Sequence, residues 1–323
     1  MNDDFFHDDL ELYINNVLKP YWSNFKYSRA GGIYNPDIRK NHFNADVLIS
    51  SDILNGTDIE YNPKGKLFLH YTSIKNLISI LRSQSVRLYD FNNFNDPLEF
   101  VYANKYFLSK ERIELELKEF KSQLFGLSLC EYNEDNITNN INLWRLYADN
   151  GNGVCIVFEL ANENINEIYD YTFGKIKYCQ IGVNIEELEK IRERAEEYQK
   201  KYDFSCTNLE DLLTPICCFY KTNLFKIENE IRLFHFSKKR PYDKHYDDEV
   251  KSDLNNQNSK VYFKEVPILN TSNNRVPQLK IKEILFGYNL KPEHKTDLEL
   301  VIEDLNLPEK IPVKWSPIKN HFI

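Results

Sequence analysis

The chain reads as an α+β protein with a mixed sheet, and three observations predict it. A short apolar strand at 67–71 is followed by a helical period and a second strand at 86–89. Further runs of strand length recur at 124–130, 154–160, 261–266 and 281–286. Strands and helices alternate early, while most later helical segments gather as insertions, which fits α+β or mixed α/β without requiring a parallel sheet.

Taken in order, Asp8 and Asp9 can cap a helix running towards Leu18, which Pro20 stops. Residues 28–65 are rich in Asn, Gly and Asp and read as a loop-heavy N-terminal extension over 1–65. After Leu67–Tyr71, Thr72 and Ser73 offer an N-cap, and Ile74, Leu77, Ile78 and Leu81 form one apolar helical face. Asn95-Asp-Pro-Leu-Glu99 opens another helix as a capping box, with Asp96 as N-cap, Pro97 first and Glu99 third. A charged helix follows at about 109–122, and Asn142–Ala148 is helical with Trp144 and Tyr147 on one side.

Asn150-Gly-Asn-Gly153 is a turn, Ile185–Tyr202 is a charged surface helix, and 208–222 is a second helix. These last two form a helical insertion at about 183–222. Glu228–Phe236 alternates Glu, Glu, Arg and Phe against Asn, Ile, Leu and His, a strand with one polar face. Residues 238–259 look like a mobile loop, 293–305 a helix, and 306–323 a tail that packs back through Trp315. No linker divides the chain, so 1–323 is expected to form one domain with its core at 66–305.

Composition narrows the function. With 42 % hydrophobic residues, 21 Tyr and 21 Phe, an ordinary core is available. A net charge of −8 argues against a protein that coats duplex nucleic acid, which needs Lys and Arg to neutralise phosphates. The acidic start and the lack of an 18-residue apolar run predict a cytoplasmic chain with no membrane span. The six cysteines have no CxxC spacing and read as reduced, buried thiols.

The common phosphate loops, HExxH and GxSxG are absent, and no Cys/His cluster has zinc spacing, so no metal is expected. What remains is polar residues on strands and strand ends. His70 follows three apolar residues and is either a satisfied core histidine or a ligand contact. Asn95 and Asp96 are a helix cap or the frame of a site, and Trp144 and Tyr147 are core aromatics or a flat face for a ring. Glu228, Glu230 and Arg232 share one strand face, as a solvated salt-bridge ladder or as a site.

The ordered set His-Tyr-Thr-Ser (70–73), Phe-Asn-Asp-Pro-Leu-Glu (94–99), Leu-Ser-Leu (127–129), Trp-Arg-Leu-Tyr-Ala (144–148), Gly-Val-Cys-Ile-Val-Phe (153–158), Glu-Asn-Glu-Ile-Arg-Leu (228–233) and Lys-Glu-Ile-Leu-Phe-Gly (282–287) resembles a widespread bacterial domain-of-unknown-function family, number 2971, over about 66–305. The order is also similar to that of ADP-ribosyltransferases. They present a histidine on a first strand, a small or aromatic residue on a middle strand and a glutamate on a late strand, positions matched by His70, Ser128 and Glu230. Glu228-Asn-Glu230 is similar to the Glu-x-Glu of arginine-directed members. The chain departs from the poly(ADP-ribose) polymerases in lacking the middle-strand tyrosine, and from the arginine-directed class in lacking a first-strand arginine.

This second resemblance implies a mostly antiparallel sheet with helical insertions and an enzyme that consumes NAD as substrate, a transferase or glycohydrolase. By analogy it implies an effector in phage defence or toxin–antitoxin conflict. Glu230 would stabilise the oxocarbenium ion as the nicotinamide–ribose bond breaks, and Glu228 would position or deprotonate an acceptor of undetermined identity. His70 would hold ribose hydroxyls, the Tyr71 and Thr72 backbone would meet the nicotinamide amide, and Tyr147 or Trp144 would face a ring. Arg232 would pair with the pyrophosphate or orient Glu230. Two other readings stand beside it: a nucleotide sensor that uses the same pocket without chemistry, and an interaction module working through 185–202 and 238–259.

Overall fold

The computed structural model describes residues 3–25, 29–35, 40–46, 54, 57–94, 96, 98–108, 118, 120–133, 140–162, 168, 171–202, 209–237, 250–254, 259–268, 276–305, 307 and 310–321. In chain order the elements begin with α1 (Asp3–Val17), a hairpin of β1 (Arg29–Asn35) and β2 (Lys40–Asp46), then β3 (Leu67–Thr72), α2 (Ile74–Ser83), β4 (Ser85–Asp90) and α3 (Glu99–Asn104). β5 (Leu124–Glu131), α4 (Ile141–Tyr147), β6 (Val154–Leu160), β7 (Tyr171–Lys175) and β8 (Lys177–Cys179) follow. Next come α5 (Glu186–Tyr202), α6 (Leu209–Cys217), β9 (Tyr220–Thr222) and β10 (Glu230–Phe236). The chain closes with β11 (Lys251–Leu254), β12 (Lys260–Pro267), β13 (Leu279–Phe286), α7 (Pro292–Asp304) and β14 (Val313–Trp315).

The fold is α+β, with a mixed, mostly antiparallel sheet. The main path runs β11-β12-β4-β5-β3-β6-β13-β14, and only the β13–β14 pair on it is parallel. The sheet branches at β5. One edge of β5 pairs along its length with β10, from Glu230↔Cys130 to Phe236↔Leu124, and β10 in turn pairs with β7. The other edge is shared: β4 takes Phe125 and Gly126, and β3 takes Cys130 and Glu131. Extending each register by two residues would bring both Tyr71 and Arg87 opposite Ser128. Two strands cannot occupy one edge, so β3 and β4 splay apart there and the sheet splits.

The split follows from the strand–helix–strand unit. Ser73 Oγ accepts the Asn76 N–H at 3.2 Å and caps α2. Gln84 ends the helix in the left-handed region (φ 52°) and turns the chain directly into β4. Leu77, Ile80 and Leu81 bury that helix against Phe68, Leu127, Ile156 and Phe158 on one face of the sheet. On the opposite face α4 packs Leu143 and Trp144 against Leu69, Tyr71 and Val157. The helices α1, α3, α5 and α6 enclose a third cluster around Phe91 and Phe234.

Two glycines let backbone meet backbone beside the split. A Cβ on Gly153 would collide with Thr72 O and would sit 2.9 Å from Ala148 Cα, and one on Gly287 would collide with Gly151 O.

Several expectations are corrected. The loop-heavy 28–65 segment contains the β1–β2 hairpin, because main-chain pairing from Arg29↔Asp46 to Asn35↔Lys40 needs no strong apolar alternation. The helix expected over 208–222 ends at Cys217 and gives way to β9, which pairs in parallel with β8. β10 begins at Glu230 rather than Glu228: Asn229 is left-handed (φ 43°), and Glu228 closes a 3-10 turn before the strand. The polar face of β10, left open between a solvated ladder and a site, is buried. Most of the helix expected at 109–122, and residues 238–249 of the expected loop, lie outside the described residues, whereas 251–254 of that loop form β11.

Among the described residues no helix is long and apolar enough to cross a membrane. Of the cysteines, Cys130, Cys155, Cys217 and Cys218 are buried free thiols and Cys179 is half-buried; Cys206 lies outside the described residues.

Candidate functional site

A cleft of about 290 Å³ opens where β3 and β4 part. His70, Tyr71, Thr72, Asp96, Ser128 and Tyr147 line it, together with Glu228 and Glu230. The split therefore gathers residues from β3, β5, β10, α4 and two connecting segments. Asn95 lies outside the described residues.

His70, Ser128 and Glu230 stand on three laterally adjacent strands. His70 Nδ1 is 3.2 Å from the Ser128 carbonyl oxygen. A carbonyl can only accept, so Nδ1 carries the proton and Nε2 is left as the acceptor. Burial of the imidazole pushes its pKa below the usual range, against the opposing pull of that hydrogen bond, so the ring is neutral at pH 7. Ser128 Oγ donates to Glu230 Oε1 at 2.6 Å.

Behind Glu230 is a network whose extent the sequence did not disclose. Glu99, Lys221, Glu228, Glu230 and Arg232 are each no more than 6 % exposed. Arg232, fully buried, donates to Glu230 Oε1 through Nε at 2.9 Å and Nη2 at 2.7 Å. Its Nη2 also reaches Glu99 Oε1, and its Nη1 reaches the Cys218 carbonyl. Lys221 Nζ joins Glu228 Oε2 at 2.7 Å to Glu230 Oε2 at 3.2 Å. Tyr147 OH donates to Glu228 Oε1. Buried charges persist only when paired and hydrogen-bonded, and every member meets that condition.

The network separates its carboxylates. Burial would raise the Glu230 carboxyl, but the Arg232 and Lys221 charges and the Ser128 hydrogen bond outweigh it and hold the pKa down to about 2. For Glu99 burial wins over the Arg232 charge, and with Glu230 close by its pKa lies above the usual carboxylate range. Three carboxylates face two cations here, and the excess negative charge is eased most readily by a proton on Glu99.

Three expected roles change with this geometry. Trp144 does not line the cleft; it is 0 % exposed and packs edge-on to Tyr71 at 5.1 Å, so it presents no face to a ligand ring. Arg232 lies behind Glu230 rather than on the cleft wall, which leaves orienting Glu230 as its available role and removes a direct contact with a pyrophosphate. Glu99 belongs to no capping box: Asp96 Oδ1 does accept the Leu98 N–H at 2.9 Å, but the Glu99 carboxylate turns inward to Arg232. Thr72 Oγ1 is occupied as acceptor for Asn76 Nδ2 at 3.1 Å.

Sequence reasoning missed Lys221, Glu99 and Arg87 as cleft residues. Lys221 could have been found only through the strand character of Tyr220–Thr222, which the preceding helical pattern concealed.

A family model described as "Protein of unknown function (DUF2971)" matches residues 143–233. The segment runs from α4 to β10 and carries Tyr147, Lys221, Glu228, Glu230 and Arg232. No curated protein and no solved structure matches the chain.

Proposed function

We propose that the cleft binds NAD or a closely related nucleotide and cleaves its nicotinamide–ribose bond, in a fold of ADP-ribosyltransferase type. The observation that carries this reading is the contact chain His70–Ser128–Glu230 at the split in the sheet.

In this reaction the C1′–N bond breaks, nicotinamide leaves with the electron pair, and the ribosyl carbon becomes an oxocarbenium ion. Water or an acceptor group then supplies the electron pair for the new bond and loses its proton. Glu230, anionic across the physiological range, supplies charge that counts most when the cation develops. Arg232, Lys221 and Ser128 hold its carboxylate in one orientation before substrate arrives. His70 Nε2 accepts from a ribose hydroxyl, and the Tyr71–Thr72 backbone borders the nicotinamide amide. Tyr147 offers the ring face that Trp144 does not. Glu228, held by Lys221 and Tyr147, takes the acceptor's proton in this reading.

A second reading, nucleotide binding without chemistry, is favoured by one observation. Glu230 is 3 % exposed, and both of its oxygens already have protein donors.

The deciding experiment is mass spectrometry of NAD incubated with wild-type protein and with Glu230→Gln. Nicotinamide release by wild type alone supports catalysis. NAD binding without release supports the sensor, and neither binding nor release removes both readings.

A further inference from the structure

Arg87 is the cleft cation that the acidic network does not neutralise. Two basic side chains line the cleft among the described residues, Lys221 and Arg87. Lys221 is surrounded by Glu228, Glu230 and Glu99. Arg87 meets a different environment: its Nη1 donates to Asp253 Oδ2 at 3.2 Å, and its guanidinium lies 3.9 Å from the centroid of the Phe263 ring. Asp253 is exposed on the edge strand β11, so this pair is screened by water and weak. A guanidinium stacked on a ring keeps its planar fork oriented while several N–H donors remain for a ligand.

Its position relative to Glu230 is set by register. Cross-strand partners project to the same face of a sheet. Tyr89↔Gly126 places Arg87 on the face of Ser128, and Arg232↔Ser128 places Glu230 on that face as well. Glu230 stands on the β10 side of Ser128, and Arg87 stands on the β4 side. The two are therefore separated by two strand spacings across the sheet, about 10 Å before splaying, and by two residues along it, about 7 Å. A ligand with its ribosyl carbon at Glu230 would have to extend an anionic group past Ser128 to meet Arg87.

We propose that Arg87 forms a phosphate subsite of the cleft, taking the pyrophosphate of the dinucleotide whose ribose faces Glu230. The subsite rests on the nucleotide reading above and specifies its anionic half. Asp253 then competes with the ligand for the guanidinium.

The test is titration calorimetry with ADP-ribose, adenosine and inorganic pyrophosphate on wild type, Arg87→Gln, Arg87→Lys and Asp253→Asn, beside the nicotinamide-release assay. Wild type is expected to bind ADP-ribose more tightly than adenosine. Arg87→Gln should weaken ADP-ribose about tenfold and leave adenosine unchanged, the loss of one charge-assisted contact. Arg87→Lys should recover part of that loss, and Asp253→Asn should tighten ADP-ribose. Because adenosine reads the fold and the rest of the cleft, a misfolded variant is distinguished from a lost phosphate contact.

Unchanged ADP-ribose affinity in Arg87→Gln, with nicotinamide still released, overturns the subsite and leaves the proposed reaction standing. Pyrophosphate binding as tightly as ADP-ribose shows an anion site unrelated to the dinucleotide, and overturns it too. Wild type binding neither nucleoside ligand removes the subsite together with the reading on which it rests.

Discussion

Arg232 donates two hydrogen bonds to a single oxygen of Glu230, from Nε at 2.9 Å and Nη2 at 2.7 Å, with neither side chain more than 3 % exposed. Removing the guanidinium would leave the Glu230 and Glu99 carboxylates facing each other in a dry interior. Arg232→Ala should destabilise the protein by about 3–5 kcal/mol, the cost of breaking a buried pair from one side. Urea denaturation at pH 7 measures it, and a change below about 1 kcal/mol would mean that water reaches the network.

The two carboxylates give stability opposite pH dependences. The folded pKa of Glu230, about 2, lies below its ordinary 4.5. Its contribution is full above pH 4.5 and is lost as pH falls towards 2. Glu99 is raised above 4.5, so its contribution is full below that value and declines as pH rises through the folded pKa. Glu230→Gln should therefore cost most at pH 7 and progressively less towards pH 2. Glu99→Gln should be better tolerated at pH 7 than at pH 4. Denaturation midpoints of the two variants across this range check both signs, and parallel curves would show that the carboxylates do not differ.

In the proposed reaction Ser128 would act through Glu230, to which its Oγ donates. Ser128→Ala removes one donor to Oε1 and leaves both Arg232 contacts in place. Nicotinamide release should fall about tenfold in kcat, and Glu230→Gln should lower it by about a hundredfold or more. An Ala variant as fast as wild type would show that the hydroxyl does not set the carboxylate's orientation.

Gly287→Ala places a methyl group against the Gly151 carbonyl, where the neighbour is backbone and cannot rotate away. A loss of at least about 1–3 kcal/mol is expected. Thermal unfolding measures it, and an unshifted midpoint would show that the two turns are not packed against each other.

Trp144 and Tyr147, three residues apart on α4, should divide stability from function. Trp144→Ala empties a fully buried site and should cost about 3–5 kcal/mol. Tyr147→Phe removes only the hydroxyl that donates to Glu228, so it should change turnover or ligand affinity while leaving the unfolding midpoint within about 1 kcal/mol. The reverse pattern would place the wrong aromatic at the cleft.

Much of the sheet was legible from local pattern. Leu67–Tyr71, the apolar stripe Ile74, Leu77, Ile78 and Leu81 with its Ser73 cap, and the runs at 124–130, 154–160 and 281–286 each declare themselves by spacing and end signals, and the structure extends three of the four strands by one or two residues. The order of His70, Ser128 and Glu230 along the chain was legible too. The β1–β2 hairpin was not, since its glycine- and asparagine-rich strands carry no clear alternation. Glu99 was misread because Asp-Pro-x-Glu is also the local signature of a helix start.

By itself the sequence determined the main strands of the sheet, the helix α2 with its Ser73 cap, and the burial of Cys130, Cys155, Cys217 and Cys218, because each depends on neighbours a few positions away. Only the tertiary structure decided that Glu99 and Lys221 join Glu228, Glu230 and Arg232, that Trp144 is sealed off, and that β3 and β4 open a cleft at Ser128. Periodicity reports which face of its own segment a residue occupies. Which other segment covers that face is settled by tertiary packing, and it is α3, α4 and β9, carrying Glu99, Tyr147 and Lys221, that leave these charges buried and paired.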